Sequence, residues 1–182
     1  IGAPRVRALI AQMGLTETRL PDSTRIMFST LAGAPPGTDL GWRGMRDVAE
    51  GRPVGEMRPV MNPHQTMVST ARELCSWYER ALAGQVFAQA ASLDEFKRIS
   101  AMADAMPRVA PPDVIAYGKG GSIDWNGTHA VAVAGQMVAG PVRATFFWGV
   151  TWPGTDDSVP TMLERLRASL QTALVRAASV LG

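Results

Sequence analysis

The sequence is poor in the residue types that build metal sites and disulfide frameworks. Its 182 residues include one cysteine, Cys75, and two histidines, His64 and His129. A single cysteine excludes an internal disulfide. Two distant histidines with one cysteine match no zinc-ligand spacing. We therefore predict neither a metal nor any other cofactor, and we expect Cys75, which lies in a helical pattern, to be a core residue rather than a nucleophile.

Lysine is equally scarce, whereas arginine is abundant. Of the 18 basic residues, only Lys97 and Lys119 are lysines, and 16 acidic residues nearly balance the total positive charge. The arginines are dispersed rather than clustered with aromatic residues, so the sequence predicts no nucleic-acid surface. Because lysine is rare here, Lys119 in its apolar, glycine-rich setting stands out.

Long hydrophobic runs are also missing. No run approaches the roughly 20 apolar residues that cross a bilayer, and Ile1–Arg5 lacks the basic and apolar regions of a signal peptide. Since the first residue is not methionine, we expect a fragment of a longer protein and infer no compartment from this end. With 46% apolar and 19% charged residues, the composition is that of a globular protein, and we predict one domain over residues 1–182.

Apolar residues recur at helical spacing in several segments of the first two thirds of the chain. Glycine, proline and polar residues separate these segments. The predicted elements are a helix from Pro4 to Met13, a loop from Leu15 to Met27, at most one short helix within residues 39–65, a helix from Thr66 to Leu82, and a helix capped by Ser92 with Glu95 and stopped by Pro107.

The hydrophobic period then changes from helical to alternating. Short β-branched and aromatic runs at Asp113–Tyr117, His129–Ala134 and Val142–Val150 predict a three-stranded antiparallel meander. Residues Val159–Val180 follow as a long amphipathic helix. The sequence therefore predicts an α+β domain in which a helical region precedes the meander and the last helix covers the sheet. The predicted inward face of that helix consists of Leu163, Leu166, Leu170, Leu174 and Ala177.

The most informative segment is Tyr117–Ser122, where a lysine at a strand end precedes two glycines and a serine. Without a Cβ, Gly120 and Gly121 leave the strand edge open to main-chain hydrogen bonds with an extended acyl substrate. Lys119 adds a fixed positive charge, and the N–H of Ser122 suits a developing oxyanion. The pattern equally fits a glycine-rich hairpin with a solvated lysine, and it lacks the spacing of a nucleotide phosphate loop.

Several segments, taken in order, resemble the class A β-lactamases and their penicillin-binding relatives, whose signature is S-x-x-K, then S-D-N, then K-T-G. Lys119-Gly120-Gly121 stands in the K-T-G place, and the meander and closing helix follow in family order. The layout matches over nearly the whole chain. It also includes Ile1–Met13 as the helix after S-D-N, Arg19-Leu20-Pro21-Asp22 as the opening of the omega loop, and Pro63–Val68 as a later helix start.

The resemblance implies roles for the four residues from Lys119 to Ser122 and for His129. Lys119 would hold the substrate carboxylate and tune proton transfer, Ser122 would donate its backbone N–H to the oxyanion, and Gly120 and Gly121 would line the substrate. His129 falls near the family's carboxylate-binding arginine, where a partly protonated imidazole could replace it; alternatively it is a strand-end histidine with no task. The implied substrate is a β-lactam or a related peptide or ester, and the implied location is periplasmic or secreted.

The departures from the family are equally informative. No S-x-x-K and no S-D-N element occurs, and because both precede the first matching helix in the family, we expect the nucleophile upstream of Ile1 and a beta-lactamase/transpeptidase-like fold incomplete at its N-terminus. The chain alone is then inactive. Thr24 stands about where the family has its deacylating glutamate, with Asp22 as the nearby carboxylate. Gly120 replaces the threonine of K-T-G.

Two other functions stay open at this stage. One is a non-catalytic binding module that kept the fold and lost turnover, which Thr24 and Gly120 favour. The other is a related esterase, transpeptidase or biosynthetic hydrolase that never needed the omega-loop glutamate. In each case the partner is a small molecule, and the uncovered edge of an incomplete sheet predicts pairing into a homo-oligomer.

Overall fold

The structure is a computed structural model that describes residues 2–62 and 65–181, so the predictions on Pro63 and His64 lie outside the described residues. Its contacts group into two compact units, residues 1–70 and 71–182. The prediction of a single domain stays a prediction.

The described residues of the first unit form three helices: α1 (Ala3–Gln12), α2 (Thr24–Leu31) and α3 (Gly41–Ala49). Helix α1 agrees with the prediction, with proline in its first turn and Gly14 at a φ of 69° just beyond its end. This left-handed conformation is one that glycine adopts without strain. Helix α3 is the one short helix predicted within residues 39–65.

The predicted loop from Leu15 to Met27 is wrong in its second half, because α2 begins at Thr24. The Ser23 side chain accepts a hydrogen bond from the backbone N–H of Ile26 at 3.1 Å and so caps the helix. A serine N-cap supplies one of the acceptors that a helix start lacks. Helix α2 ends in the core of this unit, where Leu31, Ala32 and Ala34 are fully buried.

The helix predicted from Thr66 starts only at Ala71, because the residues before it are extended. Arg19 and Val68 form an isolated antiparallel bridge, in which the distances from the donor nitrogen to the acceptor oxygen are 2.8 and 3.0 Å. The hydroxyls of Thr18 and Ser69 add a hydrogen bond of 2.8 Å beside it. Backbone groups used in a bridge are not available for a helical turn.

The second unit is a helical layer, a sheet and a closing helix. The strands form an antiparallel meander in the order β1-β2-β3, and the predicted α+β class is confirmed. Its elements are α4 (Ala71–Leu82), α5 (Ala90–Ala101), α6 (Met106–Val109), β1 (Ile115–Trp125), β2 (Thr128–Ala139), β3 (Val142–Pro153), a single 3-10 turn (Asp156–Ser158) and α7 (Val159–Leu181).

Two predicted boundaries in the helical layer are wrong. Helix α5 begins at Ala90 with Gln89 at its N-cap, so Ser92 lies inside the helix and the predicted capping box does not form. Pro107 does not stop this helix, which ends at Ala101; it lies in the first turn of α6. Proline is well suited to that place, since the first N–H groups of a helix have no intrahelical partner.

All three strands are longer than predicted, because the turns between them are tight. Asn126 and Gly127 connect β1 to β2 with φ values of 46° and 70°. Positive φ at both central residues matches the twist of a two-residue hairpin. The Gly118–Gly121 segment therefore lies within β1 instead of ending it, and Lys119 is paired with Ala134 of β2.

The sheet separates two apolar layers. One face packs on α6 and α7 around Met106, Met137, Phe146 and Leu170. The other packs on α4 through Tyr78, Leu82 and Ala134, with Phe96 of α5 beside them. Helix α7 buries Leu166, Leu170 and Leu174 as predicted, whereas Leu163 is 37% exposed.

Candidate active-site strand

Lys119 lies in the middle of β1 on the face that carries Tyr117 and Gly121, since side chains alternate along a strand. It is exposed, and its ammonium group donates a hydrogen bond to the carbonyl oxygen of Gly120. Opposite it on β2 stands Ala134, and a Cβ built on Gly121 would meet no atom within 4 Å. A positive charge therefore stands beside open space on this strand.

β1 is the first strand of the three-stranded sheet that the described residues form. One of its edges consequently pairs with β2, and the other faces no strand of that sheet. An extended molecule with carbonyl and amide groups can bind such an edge through main-chain hydrogen bonds. This part of β1 thus combines the positive charge of Lys119, the open space beside Gly121 and the hydrogen-bonding groups of the strand edge.

Gly120 faces the opposite layer, where its packing leaves no room for a side chain. A Cβ on Gly120 would lie 2.6 Å from the Cβ of Ala105, closer than two carbon atoms approach. Threonine would require β1 or the segment before α6 to move. Glycine at this position therefore fits the local packing on the α6 side of the sheet.

Ser122 is exposed and pairs with Val131. Its side chain lies on the same face as Gly120, opposite the face of Lys119, by the alternation of the strand. It lies three positions after Lys119 in the strand, which corresponds to roughly 10 Å. The role expected of Ser122 concerns its backbone N–H, which belongs to the strand itself and does not depend on the side chain's face.

The structure does not bring His129 to Lys119. His129 pairs with Asp124 at the far end of β1, roughly 17 Å along the strand from Lys119, and its ring lies on the α7 face. It is 2% exposed, with Nδ1 2.7 Å from Asp124 Oδ1 and Nε2 3.0 Å from the carbonyl oxygen of Gly154. Both ring nitrogens are engaged, which favours a structural interpretation of this histidine over a carboxylate-binding one.

In the first unit, the residues matched to the omega loop do not provide a free base. The Asp22 carboxylate accepts a hydrogen bond of 2.7 Å from the Arg7 guanidinium, which also donates to the carbonyl of Leu20 at 2.9 Å. Thr24 is exposed as the first residue of α2.

Cys75 is half-buried in α4 and does not belong to the buried core of the described residues, so it lies less deep than predicted. Burial raises the pKa of its thiol, while a hydrogen bond with Thr145 acts in the opposite direction. Because the thiolate is the nucleophilic form, a raised pKa disfavours covalent catalysis by this residue.

The sequence reasoning missed the partners of His129, which are Asp124, Trp152 and Gly154. One signal for Asp124 was present, because the Asn126-Gly127 dipeptide fixes a two-residue turn and so places Asp124 opposite His129. Trp152 and Gly154 come from β3 and the connection after it. Their approach depends on the register of a second hairpin.

Solved structures similar to this chain include class D β-lactamases and the protein PBP-A. The enzyme from Sebaldella termitidis has a TM-score of 0.46 at 14% identity, covering 65% of this chain and 44% of its own. YbXI from Nostoc has 0.49 at 13%, covering 98% and 56%, and PBP-A has 0.46 at 15%, covering 76% and 51%.

This chain thus spans about half the length of the solved chains it matches. No family model and no curated protein matches the sequence. The β-lactamases named here belong to class D, so membership of class A stays a prediction. Among the residues that the structure describes, no helix has the length and hydrophobicity to cross a membrane.

Proposed function

We propose that this chain supplies the substrate-binding strand of a serine acyl hydrolase of the β-lactamase type. The observation that carries the proposal is Lys119, an exposed cation in the middle of β1 beside the open space at Gly121. The order of motifs along the sequence supports it. The serine nucleophile belongs, in this proposal, to a part of the protein outside the 182 residues.

The chemistry that such a strand serves is acyl transfer. The serine hydroxyl oxygen forms a bond to the substrate carbonyl carbon, which gives a tetrahedral intermediate with negative charge on the carbonyl oxygen. The carbon–nitrogen bond of a β-lactam, or the carbon–oxygen bond of an ester, then breaks, and the proton lost by the serine is transferred to the leaving nitrogen or oxygen. In the proposal, the Ser122 N–H stabilises that oxygen and Lys119 binds the substrate carboxylate. A charge-assisted hydrogen bond of this kind is stronger than a neutral one.

Hydrolysis of the acyl-serine needs a base that activates water. Thr24 has no carboxylate, and the Asp22 carboxylate is bound to Arg7. We therefore propose that the acyl-enzyme is long-lived, as in a penicillin-binding protein, rather than rapidly turned over. A related esterase or transpeptidase, in which another nucleophile replaces water, agrees with the same residues.

A non-catalytic binding module is the second candidate. Gly120 favours it, because the strand has lost the threonine hydroxyl and the packing of Ala105 fills the space that its side chain would occupy. Such a module would bind the same carboxylate-bearing molecules without acylation. The two candidates therefore share the binding role of Lys119 and differ in covalent chemistry.

Replacing Lys119 by alanine, in the protein that contains this chain, should weaken the reversible binding of benzylpenicillin. Loss of a hydrogen bond to a charged group costs about 1.5–3 kcal/mol, which corresponds to about a 10- to 100-fold higher Kd. Calorimetric or fluorescence titration measures the change. Lys97→Ala is the matched control, because Lys97 is the other lysine of the chain and lies on α5.

A neutral methyl ester of the same penicillin sharpens the test. Its binding should not depend on Lys119, because the carboxylate that pairs with the ammonium group is removed. If Lys119→Ala leaves the Kd of benzylpenicillin unchanged, or weakens acid and ester equally, the carboxylate-binding role is wrong.

A further inference from the structure

A cluster of polar contacts lies at the end of the sheet where the β1–β2 turn meets the end of β3. It comprises Asp124, His129, Trp152, Gly154 and Ser158, and we call it the sheet-end clasp. It joins the β1–β2 turn to the connection between β3 and α7. None of its residues takes part in the proposed function.

The clasp is a continuous chain of contacts. The His129 ring stacks on Trp152, with centroids 5.3 Å apart and planes 30° apart. Trp152 Nε1 donates to Ser158 Oγ at 2.9 Å, and that hydroxyl donates to the carbonyl of Thr155 at 2.7 Å. The Gly154 N–H donates to the carbonyl of Gly127 at 3.0 Å, which ties the same connection to the hairpin turn.

The two partners of the His129 ring favour its protonated form. A backbone carbonyl oxygen only accepts hydrogen bonds, and so does an ionised carboxylate. A neutral imidazole has one N–H and can satisfy only one of the two acceptors at 2.7 and 3.0 Å. An imidazolium donates from both nitrogens and satisfies both.

We propose that His129 is an imidazolium in the folded protein and that the sheet-end clasp is a pH-sensitive latch between the β1–β2 turn and the start of α7. Deprotonation leaves one ring nitrogen with its lone pair facing an acceptor. The contact to Asp124 or to Gly154 then weakens, and the stacked Trp152 and its bond to Ser158 are disturbed with it.

The charges around the ring agree with this assignment. The hydrogen bond to Asp124 of β1 raises the pKa of His129 most, and burial lowers it. The bond to Gly154 and the negative charges of Asp124 and of Asp156 in the 3-10 turn raise it further. Asp157, the neighbour of Asp156, accepts a hydrogen bond from the Thr155 hydroxyl.

The sign of the pH dependence follows from the raised pKa. The stabilisation is fully present below the ordinary histidine value of 6.5, where the unfolded chain is also protonated. It is lost as the pH rises through the higher value of the folded state. The latch is therefore closed around and just below pH 6.5, and it opens as the pH rises through the higher pKa of the folded state.

Nuclear magnetic resonance of the full chain tests the latch. The imidazole nitrogen shifts of His129 should show the doubly protonated ring below a midpoint above pH 6.5, and the indole N–H resonance of Trp152 should move with that midpoint. Trp152→Phe assigns the indole signal, and His64→Gln removes the other histidine. Asp124→Asn should lower the midpoint, whereas the matched control Asp104→Asn, at an exposed site before α6, should not.

Each alternative result overturns the proposal. A His129 midpoint below 6.5, or one that Asp124→Asn does not lower, would show that the ring is not held as an imidazolium by its two acceptors. An indole signal of Trp152 that stays constant through the His129 midpoint would show that protonation is not transmitted to the connection before α7. Both readouts use folded variants that retain His129, so they do not depend on the stability of a histidine substitution.

Discussion

Replacing Gly118 by alanine should destabilise the protein strongly. A Cβ on Gly118 would clash with the carbonyl oxygen of Ala134 and lie 2.9 Å from the Cα of Gly135. Both atoms belong to the backbone of β2, so relief requires the two strands to separate. We expect a loss of about 3 kcal/mol in the free energy of unfolding, at the upper end of overpacking effects, measured by urea titration followed by circular dichroism.

The control is the same substitution three residues along β1. A Cβ on Gly121 meets no atom within 4 Å, and alanine loses less backbone entropy than glycine on folding. Gly121→Ala should therefore be neutral or slightly stabilising. Equal effects of the two substitutions would mean that β1 and β2 do not approach each other as closely at Gly118 as the structure places them.

The second large effect is expected from Leu170→Ala in α7. Leu170 is 1% exposed and packs in the layer that contains Met106, Met137 and Phe146. Removing a buried leucine side chain leaves a cavity and costs about 2–5 kcal/mol. The midpoint of urea unfolding should fall while the slope of the transition stays constant.

Leu163→Ala provides the matched comparison, because it makes the same chemical change on the same helix. Leu163 is 37% exposed, so its truncation should cost about 1 kcal/mol or less. The periodicity of the sequence assigns both leucines to one inward face, whereas the structure separates them. A cost at Leu163 as large as at Leu170 would contradict the burial that the structure gives to the start of α7.

The elements with a strong hydrophobic period could be predicted from the sequence. Helix α7 and the three strands follow from residue patterns within each segment, and so does the α+β class. The start of α2 could not be located by apolar period alone, because its first turn depends on the Ser23 cap. The delayed start of α4 depends on pairing between Arg19 and Val68, two residues that are far apart in sequence.

The candidate site was predictable only in part, because some of its contacts also join residues that are distant in sequence. Lys119 and Gly121 are neighbours in sequence, and the structure keeps them on one face of β1. His129 was assigned by its place after the lysine, but its face and its partners are fixed by two hairpin registers. The tight packing at Gly120 is likewise non-local, since Ala105 approaches from the segment before α6.

The most direct test of the central proposal is the intact mass of the protein extended upstream of Ile1, after incubation with benzylpenicillin. We predict a mass increase of one penicillin on a serine in an S-x-x-K sequence, decaying slowly because Thr24 has no carboxylate that could activate water. Absence of any adduct, with benzylpenicillin and with an activated ester alike, would contradict acyl-serine chemistry and leave the chain as a binding module.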